Sequence, residues 1–191
     1  MASFVATFEA FLGLLGFAIA TGLFYGRFSR PRAYLKFSET AVVAPFEEGS
    51  AIMFRVASYK NNMLSEAEVN ITAAIEENID GKLVSKFYQI EPTLKKINSF
   101  SLNWTLVHKI DSNSPFYGFS EDDFKNTDIE LIIMIKAFDE VFANTVVQRT
   151  SYITPEIVYG ARFLPMYHSS EDNKTTILDL DKIDDYQVVK I

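Results

Sequence analysis

The chain has 191 residues, 48% apolar and 23% charged, with no cysteine and a formal net charge of −7. That composition excludes a disordered chain, and the missing cysteine excludes disulfides, thiolate metal sites and a cysteine nucleophile. A net negative chain is also a poor general binder of nucleic acid.

Residues 4–25 form an apolar run whose single charge is Glu9. At ~1.5 Å per residue such a helix is about 33 Å long, enough to cross a hydrocarbon layer of roughly 30 Å. A secretory signal would need a basic start and a shorter apolar stretch. No Lys or Arg precedes the run, so it is predicted to span a membrane. Arg27, Arg30, Arg32 and Lys36 follow at once, which places residues 27–191 in the cytoplasm and Met1 outside. So short an outer tail predicts another span before this one. Glu9 is costly in lipid and is expected to face protein or water. Gly13, Gly16 and Gly22 permit close helix approach or bending. Phe17, Thr21, Tyr25 and Phe28 recur at helical spacing. That stripe fits lipid-facing bulk and a pore lining equally well.

After Pro31 the texture becomes β-rich. Strands are predicted at 40–46, 51–58, 66–75, 82–90, 99–110, 129–138 and 145–153, from alternation and β-branched content. Glu48-Gly49-Ser50, Asn61-Asn62, Asp80-Gly81 and a long loop at 111–123 separate them. Seven short strands so spaced predict an immunoglobulin-like β-sandwich, with no substantial helix. The acidic tail at 169–185 is expected to be loosely ordered. Charge is divided along the chain: residues 1–26 carry −1, 27–36 carry +4 and 37–191 carry −10. A basic collar suits anionic headgroups, at ~1 kcal/mol per basic residue. An acidic surface serves solubility, or concentrates cations if it lines a water-filled conduit.

Catalytic patterns are missing. There is no GxGxxG, P-loop, HExxH or GxSxG. His108 and His168 lack metal-spaced neighbours, and His108 reads as structural. Asp122-Asp123 and Asp184-Asp185 read as solvated pairs. Asn70, Asn103 and Asn173 begin Asn-x-Ser/Thr triplets, which carry no weight in a cytoplasmic domain.

Several segments carry a more specific signal: ATGLFYGRFSRPR at 20–32, KFS at 36–38, AVV at 41–43, MFRVA at 53–57 and EAEV at 66–69, then HKIDSNSPFYG at 108–118, QRTSY at 148–152 and GARFLP at 160–165. Taken in order, they resemble the bacterial inward-rectifier potassium channels over essentially the whole chain. The resemblance implies a homotetramer and no enzyme activity. It implies one pore-lining inner helix over 1–26, a basic tether over 27–37 and an immunoglobulin-like cytoplasmic domain over 38–191. Tyr25 matches the position that closes the helix bundle, and Gly13 and Gly22 match hinge glycines. Phe17, Thr21 and Glu140 would line the pore. Val141, Phe142, Ala143, Asn144 and Thr145 match the loop that narrows the conduit. Arg27, Arg30 and Arg32 match a lipid-binding tether, with anionic lipid as a regulator and no cofactor or metal. Potassium is the implied permeant ion, and an apolar Phe17 implies weak block by polyamines or magnesium. The family's outer helix, pore helix and TVGYG filter have no counterpart in these residues. The chain therefore reads as a channel subunit or a fragment of one. The alternative is a single-span membrane protein whose sandwich binds a partner and conducts nothing.

Overall fold

The structure is a computed structural model that describes residues 2–60, 63–100 and 102–191. The turn expected at Asn61-Asn62, and Met1, lie outside the described residues. The chain forms two compact units, one ending at Arg32 and the other running Ala33–Ile191.

The first unit is helix α1 (Ala2–Phe28), which is long and apolar enough to cross a membrane. It is apolar around its whole circumference, the pattern of a helix destined for lipid or for other helices. Its threonine hydroxyls are satisfied internally, since Thr7 donates to Ser3 O at 2.9 Å and Thr21 to Phe17 O at 2.8 Å. In lipid no water would satisfy them. Pro31, which can neither donate nor tolerate a helical predecessor, stops further helix.

The second unit is an immunoglobulin-like β-sandwich. Its strands are β1 (Leu35–Phe37), β2 (Ala41–Phe46), β3 (Gly49–Ser58), β4 (Leu64–Ile79), β5 (Lys82–Ile90), β6 (Lys96–Phe100) and β7 (Asn103–Ile110). Helix α2 (Glu121–Asn126) follows, then β8 (Ile129–Asp139), β9 (Asn144–Ile153), β10 (Ile157–Tyr159), β11 (Ala161–Phe163), β12 (Tyr167–Ser169), β13 (Thr176–Leu178) and β14 (Tyr186–Val188). One sheet holds β10-β2-β3, with β1 beside β2 on the same edge of β3 and β7 on the other edge. The second holds β5-β4-β8-β9, with β6 continuing the line of β5 along β4. Val43, Phe54 and Leu106 from the first sheet and Val69, Ile71, Leu131 and Ile133 from the second are buried together.

Three features depart from the sequence expectation. The predicted strand at 99–110 is two strands, β6 in one sheet and β7 in the other. The loop expected at 111–123 closes in α2, a six-residue helix whose Ser120 and Asp123 bond each other's backbone N–H in a capping box. The acidic tail is ordered: β13 pairs with β12, and Ile183 is fully buried with Met166 and Ala57. Sparse apolar residues hold it down, too few to show as a period.

Candidate functional site

On α1, Phe17, Thr21 and Tyr25 lie four residues apart and so on one face. Phe17 is 72% exposed and Tyr25 is 74% exposed within the single chain. A Cβ at Gly13 or Gly22 would meet nothing within 4 Å among the described residues of the helix unit. Arg27, Arg30 and Arg32 are exposed and line an open groove with Gly22, Leu23 and Gly26. None of the three has an acidic partner within 4 Å among the described residues.

The β8–β9 connection is a turn over residues 140–143, so Asn144 and Thr145 open a strand instead of belonging to the loop. Asp139, almost fully buried, shapes this turn: its Oδ1 accepts the N–H groups of Val141 at 2.9 Å and Phe142 at 3.1 Å. The N–H of Glu140 donates to Met63 O at 3.0 Å, tying the turn to the start of β4. Ala143 takes a left-handed backbone, φ 46°, to bring the chain back. The turn therefore presents Val141 and Phe142 outward on a polar base.

Glu66 joins this region and was not among the expected site residues. The β4–β8 register breaks between Ser65 and Glu68, and Glu66 sits in that bulge with φ 51°, exposed. Its neighbours Ser65 and Leu64 pair with Phe138 and Asp139, which places it at the same sheet end as Glu140. Lys96 lies 3.5 Å from its carboxylate. The signal was legible: inward residues Leu64, Ala67 and Val69 are spaced by three and then two, the mark of one extra residue.

The first strand of the sandwich, β1, is held at its two ends by β9. Gln148 and Tyr152 point inward with Val146, opposite Ile135 and Leu131 of β8. Gln148 bonds the backbone of Leu35, and the Tyr152 hydroxyl donates to Ser38 O at 2.9 Å. Burial pushes the Tyr152 hydroxyl well above its ordinary value, so it stays a donor. Away from this region, buried His108 has Nδ1 2.9 Å from Glu91 O and Nε2 2.8 Å from Ser114 Oγ. Desolvation lowers its pKa, and its partners are those of a structural residue. Among the described residues no group of three or more His, Asp or Glu side chains is placed to hold a metal.

A family profile described as "Inward rectifier potassium channel C-terminal domain" matches residues 35–191. The chain belongs to the inward-rectifier potassium channel family. It is 33% identical over 183 residues to the inward rectifier potassium channel Kirbac3.1 of Paramagnetospirillum magnetotacticum, covering 95% of this chain and 62% of that protein. It is 24% identical over 190 residues to the inward rectifier potassium channel irk-1 of Caenorhabditis elegans, covering 95% of this chain and 35% of that one. The chain thus spans under two thirds of either relative. Among solved structures, Spo0M, a sporulation control protein from Bacillus subtilis, matches with a TM-score of 0.32 and 9% identity, covering 65% of this chain and 49% of that one. So remote a likeness carries no argument. The family is one of membrane channels, not enzymes, and α1, long and apolar enough to cross a membrane, lies ahead of the cytoplasmic sandwich.

Proposed function

We propose that the chain is the inner-helix and cytoplasmic portion of a homotetrameric potassium channel subunit. The observation that carries this reading is the family match together with α1, whose Phe17 and Tyr25 side chains are exposed on one face. Four copies would place Phe17, Thr21 and Tyr25 around one axis. The Tyr25 rings, last in that stripe before Arg27, would meet there. Rings in contact leave no room for a hydrated cation, and an apolar constriction resists wetting even before contact. Gly22, one turn earlier, is the place where the helix can bend and part the rings, with Gly13 a second. Below, Glu140 and Glu66 would give a cation conduit its negative lining, and the Val141–Phe142 turn would narrow it. Arg27, Arg30 and Arg32 would bind anionic lipid at the membrane surface. Selectivity for potassium would come from filter carbonyls upstream of these residues. Phe17 offers no charge to a polyamine or magnesium ion, so block by either would be weak.

The test joins this chain to an upstream outer helix and a TVGYG-type filter, in liposomes, and measures potassium flux. Tyr25→Ala should raise resting flux and leave potassium-over-sodium preference unchanged. Unchanged flux in an assembled mutant would move the constriction to the turn at residues 140–143. Absence of flux in every variant would favour the alternative, a single-span protein whose sandwich binds a partner.

A further inference from the structure

The segment that leaves the membrane helix is held from two sides. On one side β1 pairs antiparallel with β3, Leu35 opposite Ser58 and Phe37 opposite Val56. On the other, a side chain does the work of a strand. The Leu35 N–H donates to Gln148 Oε1 at 2.9 Å, and Gln148 Nε2 donates to Leu35 O. A carboxamide presents the same donor and acceptor as a peptide group, so it reproduces the paired bonds of an antiparallel neighbour. Four residues along β9, on the same inward face, Tyr152 donates to Ser38 O at 2.9 Å. Its ring lies 5.5 Å from that of Phe54, and Ser38 Oγ accepts the N–H of Arg55 at 3.0 Å. The two contacts grip the end of the tether at Leu35 and the residue that follows it, Ser38, one at each end of β1.

Both gripping groups belong to the strand that the 140–143 turn opens into. Asn144 to Ile153 are laddered to β8 residue by residue, Asp139 opposite Asn144 and Glu130 opposite Ile153. A ladder of that length moves as one piece, because sliding it by one residue would put its buried face in water. We propose that Gln148 and Tyr152 are positioning residues that couple the tether to the turn: a shift of the chain leaving α1 is applied to β9 through these two groups and is delivered at Val141 and Phe142. The consequence for ion flow rests on the conduit reading above, but the coupling itself does not.

Amide hydrogen exchange on the whole chain in lipid nanodiscs tests it, because exchange reports local opening and needs no current. The amides to follow are Leu35, guarded by Gln148, and Val141 and Phe142, guarded by Asp139. Gln148→Ala should quicken Leu35 by about tenfold, the equivalent of ~1.4 kcal/mol for one lost bond. It should also quicken Val141 and Phe142 several-fold, while the amides of β3, β4 and β8 stay slow. Tyr152→Phe keeps the ring, removes only the hydroxyl, and should quicken the same two turn amides. Gln148→Glu keeps the acceptor for the Leu35 N–H and should fall between Gln148→Ala and the native chain. If Val141 and Phe142 keep their native rates in both Gln148→Ala and Tyr152→Phe, the two residues merely anchor β1 and the proposal is overturned. Should Gln148→Ala lose core protection, Tyr152→Phe alone decides. A coupled turn that turns out not to narrow a conduit would overturn the conduit reading and leave the coupling standing.

Discussion

Burial sets the direction in which His108 titrates. Burial opposes a charge on the ring and outweighs Glu91 O, which lies 2.9 Å from Nδ1 and favours one. The folded pKa is therefore lowered, while the unfolded chain takes up a proton near pH 6.5. Below that value the unfolded state holds more protons, so stability is complete above about pH 7 and is lost as pH falls through 6.5. Urea unfolding at pH 7.5 and 5.5 should show that loss in the native chain, and a smaller one in His108→Gln. A pH-independent midpoint in the native chain would show that the ring titrates normally. The structural role of His108 was legible from its place in a strand pattern, whereas its partner Ser114 was not, since only the folded loop brings that hydroxyl back. Tyr25 is the contrary case: spacing puts it in a stripe, and nothing in one chain decides what the stripe meets.

The form of the 140–143 turn depends on one side chain. Asp139 satisfies two backbone N–H groups from a site that water does not reach. Asp139→Ala leaves both donors unpaired at a cost of about 1–3 kcal/mol, readable as a lower urea midpoint. Asp139→Asn keeps one acceptor oxygen and should lose less. Strands such as β5 and β8 were readable almost to the residue, because alternation and the turn at Asp80-Gly81 mark their ends. Both turn residues have positive φ, 53° and 80°, as a tight hairpin between twisted strands requires. The division of 99–110 into β6 and β7 was not readable, because nothing apolar or polar changes where the chain crosses between sheets. The short strands β10 to β14 escaped for a related reason, three residues being too few to display a period.

At the scale of the molecule, charge is layered: an apolar helix, a collar of +4 over residues 27–36, and −10 beyond it. Arg27, Arg30 and Arg32, free of acidic partners within 4 Å among the described residues, are available to headgroups. Changing all three to Gln should weaken binding to phosphatidylglycerol vesicles by roughly 3 kcal/mol at most, at ~1 kcal/mol each. Raised salt should erase most of the difference between native and mutant chains. Undiminished binding would reduce the collar to a topology signal. Light scattering on the whole chain should find a four-fold assembly, and a monomer at high concentration would remove the basis for placing Tyr25 and Glu140 on an axis. The collar was fully legible as sequence. The grip of β9 on the tether was not, because its partners, Leu35 and Gln148, are brought together only by folding.

Parallel pairing of β10 with β2, Ile157 beside Ala41, joins the two ends of the sandwich. Gly160 seals the joint: its N–H donates to Val43 O at 2.9 Å, its φ is 71°, and a Cβ there would stand 3.0 Å from Val189 O. A ribosome delivers these partners in the least convenient order. At roughly 5–20 residues per second, β2 emerges of the order of ten seconds before β10 can reach it. Throughout that interval β2 has a bare edge while α1 is already being handed to the membrane. The nascent domain is then a half-closed sheet beside a lipid surface, where an exposed strand edge invites mispairing with a neighbouring chain.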